Sequence, residues 1–139
     1  MTSILLPVDG SASSARAVQT VIKLYRRIVP IEVRLLHVEV SDAVPATALG
    51  EAGHDAAAAF EAGKRALQSA QSLLEQAGFA CTSDVRRGYV PSVIVEYAKA
   101  TSCDAIVMGT RGMGTTADVI GSIARQVIGL SELPVTLVK

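Results

Sequence analysis

The chain has 139 residues, half of them hydrophobic, and thirteen basic side chains balance thirteen acidic ones. One domain of this size buries roughly two-thirds of its unfolded surface, so the fold requires neither disulfide nor metal. The balanced, unsegregated charge excludes a global pull toward nucleic acid or an anionic membrane.

Ile4-Leu5-Leu6-Pro7-Val8 reads as a buried first strand, with Pro7 tolerated near its end. Asp9-Gly10-Ser11 follows as a turn carrying helix-capping residues. From Ala12 to about Arg27, the positions Ala15, Val18, Val21, Ile22 and Tyr25 recur at helical spacing. Ile31 to Val40 is a second strand centred on Leu35-Leu36-His37-Val38, and its apolar character suits the interior of a parallel sheet. Residues 41 to 55 read as a long loop with Pro45, Gly50 and Gly53. An Ala-rich helix is expected from about Ala56 to Ala77, capped by Gly78.

Phe79 to Arg86 is a mixed, half-exposed strand. Gly88 to Pro91 reads as a turn, after which Ser92 is expected to cap a helix carrying Val93, Ile94, Tyr97 and Ala98. Asp104 to Met108 contains a buried strand, and Gly109 to Gly121 holds four glycines in thirteen residues. A helix from Ser122 to about Leu130 and a strand over 134–138 close the sequence.

Strands alternating with helices predict a parallel sheet with helices on both faces, a three-layer α/β/α sandwich within one domain, 1–139. Ligands of such sheets bind at the carboxyl ends of the strands, at a topological switch point. The exits after Val8, Val38 and Met108 therefore bring Asp9, Val38 and Gly109 together. The two cysteines, Cys81 and Cys103, have the wrong spacing for a metal knuckle or redox pair and read as buried or edge thiols. Met1-Thr2-Ser3 lacks the basic start of a signal peptide, and no run approaches the roughly 18 apolar residues of a membrane span. The expected address, by elimination, is cytoplasmic.

The segment from Met108 to Ser122 leaves a strand and enters a helix. Glycines permit close backbone approach to an oxyanion, and the following helix start adds free amides. Ser122 could cap its own helix or bond a phosphate, and Arg111 could add charge. The alternative is a plain glycine-rich connection. Asp9 likewise fits either a ligand contact or a turn former, and Val38 is a core residue whose backbone alone would serve a ligand. The segment is neither a Walker A loop nor the dinucleotide fingerprint. No catalytic set is visible: His37 reads as a satisfied core histidine, His54 as a solvated loop residue, and no serine has a recognisable base.

In order, residues 4–11, 35–38, Gly88 with Pro91, 104–112, Gly121-Ser122 and 134–138 resemble the universal stress protein family over essentially the whole chain. That resemblance implies a Rossmann-like, adenine nucleotide alpha hydrolase-like fold with a five-stranded parallel sheet. It implies an ATP, ADP or AMP site, with Mg possible alongside the nucleotide. Pro7, Val8, Asp9, Val38, Met108, Gly109, Arg111, Gly112, Gly114, Gly121, Ser122 and the amide of Ile123 would form it. Nucleotide-binding members carry Gly, two residues, Gly, nine residues, Gly, then Ser or Thr. Gly109, Gly112, Gly121 and Ser122 match, but eight residues separate Gly112 from Gly121. The implied role is a stress-response regulator with at most weak ATP hydrolysis, which signals to a protein partner. The alternative is an interaction module of the same family that binds no nucleotide. The apolar final strand, as a sheet edge, predicts a homodimer, as does the resemblance.

Overall fold

The computed structural model describes residues 1–27, 30–40, 52–111 and 120–139. Among them the chain order is β1 (Thr2–Pro7), α1 (Ala12–Tyr25), β2 (Ile31–Val40), α2 (Ala52–Gln76), β3 (Ala80–Gly88), α3 (Val90–Ala100), β4 (Ala105–Gly109), α4 (Ser122–Leu130) and β5 (Val135–Val138). The five strands form one sheet in the order β3-β2-β1-β4-β5. Every neighbouring pair is parallel. The expected α/β sandwich is therefore present, and the direction of winding reverses between β1 and β4.

Alternation along β1 builds the two cores. Ile4, Leu6 and Val8 join Val18 and Val21 of α1 and Leu67 and Leu74 of α2 on one face. Leu5 joins Ile94 of α3, Ile106 of β4 and Val127 of α4 on the other. Leu5, Leu6, Leu35 and Leu36 are completely buried, as central strands covered on both faces require.

Local chemistry sets the element boundaries. Ser11 is the N-cap of α1, its hydroxyl accepting from the Ser14 amide at 3.1 Å. Gly78 ends α2 at φ +92°, with its amide on the Glu75 carbonyl and the Phe79 amide on the Leu74 carbonyl, both at 3.0 Å. This is the Schellman pattern, which favours glycine at the left-handed position.

Three expectations need correction. The second helix starts at Ala52, not Ala56, so Gly53 and His54 lie in its first turn and outside the expected loop. A helix nucleated in the Ala-rich stretch extends backward at little cost once formed. The rest of that expected loop, 41–51, lies outside the described residues. Ser92 does not cap α3: the N-cap is Tyr89, because Pro91 fits the first turn, where a missing amide costs no bond. Its hydroxyl instead donates back to the Tyr89 carbonyl at 3.1 Å. The third strand runs from Ala80 to Gly88, later than expected, because Phe79 is drawn into the core beneath α2.

Candidate functional site

A cleft of about 590 Å³ opens at the carboxyl ends of β1, β2 and β4. Its volume is within the usual range for small-molecule sites. Pro7, Val8, Asp9, Val38, Met108, Gly109, Arg111, Gly121, Ser122 and Ile123 all line it. Gly112 and Gly114 lie outside the described residues. Strand order explains the gathering: the reversal between β1 and β4 leaves a crevice where their exits diverge.

The β1 exit is held by side chains. One carboxylate oxygen of Asp9 accepts the Ser11 amide at 2.8 Å, closing the turn. The Asp9 amide donates to the Ser14 hydroxyl at 3.4 Å, and that hydroxyl donates to the Ser11 carbonyl at 3.1 Å. Asp9 is thus a turn former that also lines the cleft.

The β4 exit is built differently. Thr110, 6% exposed, donates its amide to the Val138 carbonyl at 3.0 Å and accepts the Gly121 amide at 2.6 Å. The Arg111 amide donates to the Ser13 hydroxyl at 3.2 Å, and its carbonyl accepts the Ser11 hydroxyl at 3.4 Å. These bonds hold the start of the glycine segment against the start of α1 and join the segment's two ends at Thr110 and Gly121.

Two expectations about this segment change. Ser122 does not cap its helix; Gly121 is the N-cap, and Ser122 is the first helical residue, with an exposed side chain. Gly109 has a packing reason to be glycine, since a Cβ there would sit 2.4 Å from Ser13 Oγ and 2.7 Å from its carbonyl carbon. Close approach of β4 to α1 thus requires the glycine whether or not a ligand is bound.

The Gly121 amide is engaged, so the donors lie one step further on. The first intrahelical bond of α4 runs from Arg125 to the Gly121 carbonyl at 3.1 Å. The amides of Ser122, Ile123 and Ala124 precede it and have no carbonyl four residues back within the helix. All three residues line the cleft. Together with the positive end of the helix dipole, they form a site suited to an oxyanion.

Much of the remaining lining is apolar. Val90 and Ile94 of α3 pack with Val38, Met108, Ile123 and Ala124 on one face of the sheet, and Phe60 of α2 joins the lining from the other face. Sequence reading missed Val90, Ile94, Phe60 and the serines Ser11 and Ser14. Val90 and Ile94 are spaced one helical turn apart, a signal that marks a helix face without saying what it covers. His37 also lines the cleft. It is buried, as expected, but half satisfied: Nδ1 lies 3.0 Å from the Val8 carbonyl oxygen while Nε2 is buried without a partner among the described residues.

Two ionisable groups are shifted away from the cleft. Burial, reinforced by Glu75, pushes the Cys81 thiol up to about 11. Burial and the neighbouring Asp84, which accepts the Tyr97 hydroxyl at 3.3 Å, raise the Tyr97 phenol. Among the described residues no group of three or more His, Cys, Asp or Glu side chains could hold a metal ion. None of the described helices is long and apolar enough to cross a membrane.

Fold and cleft together define a doubly wound α/β protein with a cleft of small-molecule size at its topological switch point. The chain belongs to the universal stress protein family, whose family model matches residues 1–139. It is 31% identical over 137 residues to universal stress protein MJ0531 of Methanocaldococcus jannaschii, covering 98% of this chain and 81% of that protein. It is 35% identical over 138 residues to universal stress protein Sll1654 of Synechocystis, covering 98% and 84%. Among solved structures, hypothetical protein MJ0577 superposes with a TM-score of 0.82 at 27% identity, over 99% of this chain and 95% of that one. The same fold occurs in universal stress proteins solved with dAMP (Archaeoglobus fulgidus) and AMP (Arabidopsis thaliana), at 23% and 22% identity.

Proposed function

We propose that this chain is an adenine-nucleotide-binding regulatory module acting in stress adaptation. The observation that carries this reading is the meeting in one cleft of the Asp9 turn, Val38 near the end of β2 and the first amides of α4, which have no partner within the helix. An adenine ring suits the apolar wall, a ribose suits the polar β1 exit, and phosphate suits the helix start. Relatives of the same fold solved with AMP and dAMP support the reading. The three α4 amides suffice for one phosphate; a triphosphate, with Mg, would extend into the glycine segment. Ligand-dependent rearrangement of the β2 and β4 exits would alter a partner-binding surface. Calorimetry with AMP, ADP and ATP, with and without Mg, tests this, with Gly121→Val as control. Binding that the substitution abolishes is expected; no heat at millimolar nucleotide overturns the proposal.

A second reading is an interaction module that binds no nucleotide, favoured by the eight-residue spacing between Gly112 and Gly121. Stoichiometric nucleotide released from the purified protein on denaturation, identified by mass spectrometry, counts against it. In either case a homodimer through β5 is proposed. This strand lies at the sheet edge, where unpaired backbone groups invite a second copy. A monomeric mass in light scattering contradicts it.

A further inference from the structure

His37 lies on β2 immediately before Val38, and 5% of its surface is exposed. Its Nδ1 faces the Val8 carbonyl oxygen at 3.0 Å. A carbonyl only accepts, so Nδ1 carries the proton and Nε2 the lone pair. The Val8 amide donates to the Leu36 carbonyl at 2.9 Å. Both backbone groups of Val8 are therefore tied to β2, the second through a side chain. The β1–β2 register ends at Pro7 opposite Leu36, and the imidazole extends the attachment by one residue. The next residue is Asp9, whose carboxylate closes the turn at the cleft.

The other side of the ring meets α2. A Cβ on Gly63 would come within 2.1 Å of the imidazole Cε1 and 2.3 Å of Nε2. Only glycine leaves room for the ring at that point of the helix. Phe60, nearly one turn earlier, lies tilted against the imidazole with ring centres 6.2 Å apart, and it lines the cleft. One imidazole thus touches the strand exit that carries Asp9 and the helix that brings Phe60 to the cleft.

We propose that His37 is the positioning residue of the cleft. Its Nδ1–H fixes the exit of β1, and with it Asp9, while its ring lies against α2 at Gly63 and Phe60. The structure selects one tautomer. A proton on Nε2 instead would leave the Val8 carbonyl without this donor and bury an unpaired N–H. The affinity consequence rests on the nucleotide reading; the effect on the turn does not.

The test compares His37→Asn with His37→Gln. The Asn amide can occupy the place of Nδ1 and keep the donor to Val8, whereas the longer Gln amide falls nearer the place of Nε2. Two readouts are taken where both variants are fully folded by circular dichroism: hydrogen exchange at the Ser11 amide without ligand, and AMP affinity by calorimetry. His37→Asn is expected to hold both within about threefold of the unmodified protein, and His37→Gln to lose about tenfold or more in each. In the unmodified protein, nitrogen NMR is expected to show the proton on Nδ1. Equal losses in the two variants, retained Ser11 protection in His37→Gln, or a proton on Nε2 overturns the inference. Should the unmodified protein bind no AMP, the nucleotide reading fails while exchange and NMR still decide the role of His37.

Discussion

Two of the three strand exits that border the cleft, those of β1 and β4, solve opposite problems. The β1 exit pairs polar groups among its own residues: Asp9, Ser11 and Ser14 bond to one another, and His37 takes the Val8 carbonyl. The β4 exit joins the two ends of the glycine segment, among the described residues, through the bond from Gly121 to Thr110, and the first α4 amides have no partner within the helix. A turn that satisfies itself is rigid before a ligand arrives; a helix start with spare donors is where an anion gains most. The pair pre-sets one wall of the cleft and reserves the other for binding.

The largest effect is expected at the seam between the exits. Gly109→Ala places a methyl group against the Ser13 backbone, which cannot rotate away, so it should cost about 2–3 kcal/mol in denaturant unfolding. A change below about 0.5 kcal/mol would mean that β4 and α1 can part freely.

Asp9→Ala comes next. Loss of the turn acceptor should cost about 1 kcal/mol, while Asp9→Asn keeps an oxygen for the Ser11 amide and should cost less than half of that. Equal losses in the two variants would show that charge, not turn closure, matters at the β1 exit.

The capping serines sharpen the contrast. Ser11→Ala should cost about 1 kcal/mol, because its hydroxyl caps α1. Ser122→Ala should stay within about 0.5 kcal/mol, because its hydroxyl caps nothing. A large loss of stability at Ser122 would break the distinction between the exits.

The smallest effect lies away from both. The folded Cys81 thiol titrates at about 11 against an ordinary 9.0. Its contribution to stability is complete below about pH 9, where both states hold the proton. It is lost as pH rises toward about 11, because the unfolded chain releases the proton first. Tyr97, also raised, acts in the same direction above its ordinary 10.0. Unfolding midpoints should fall with alkaline pH, and Cys81→Ser should flatten part of that slope. An unchanged slope would locate the alkaline loss elsewhere.

Much of this architecture is local and so was legible in the sequence. Apolar runs alternating with helical periodicity give the parallel sheet, and Asp9-Gly10-Ser11 declares a capped turn at a strand exit. Chain order then brings Asp9, Val38 and Gly109 to one end. What escaped depends on partners distant in sequence. Gly109 is glycine because Ser13 lies against it. His37 is half satisfied because Val8, at the neighbouring strand exit, supplies one acceptor and no other described residue pairs with Nε2. The Gly121 amide is spent on Thr110 only once the segment closes. The start of α3 differs from the expectation for a local reason: Pro91 reads as a turn residue but occupies the first turn of the helix.

Binding of an adenine nucleotide's phosphate by the α4 amides is decided by an amide NMR titration with AMP. Saturable shifts are expected at Ser122, Ile123 and Ala124, accompanied by Val38, with much smaller shifts at Ala77 to Ala80 at the opposite end of the sheet. Saturation with the Ser122–Ala124 amides unmoved, or no shift at millimolar AMP, would contradict it.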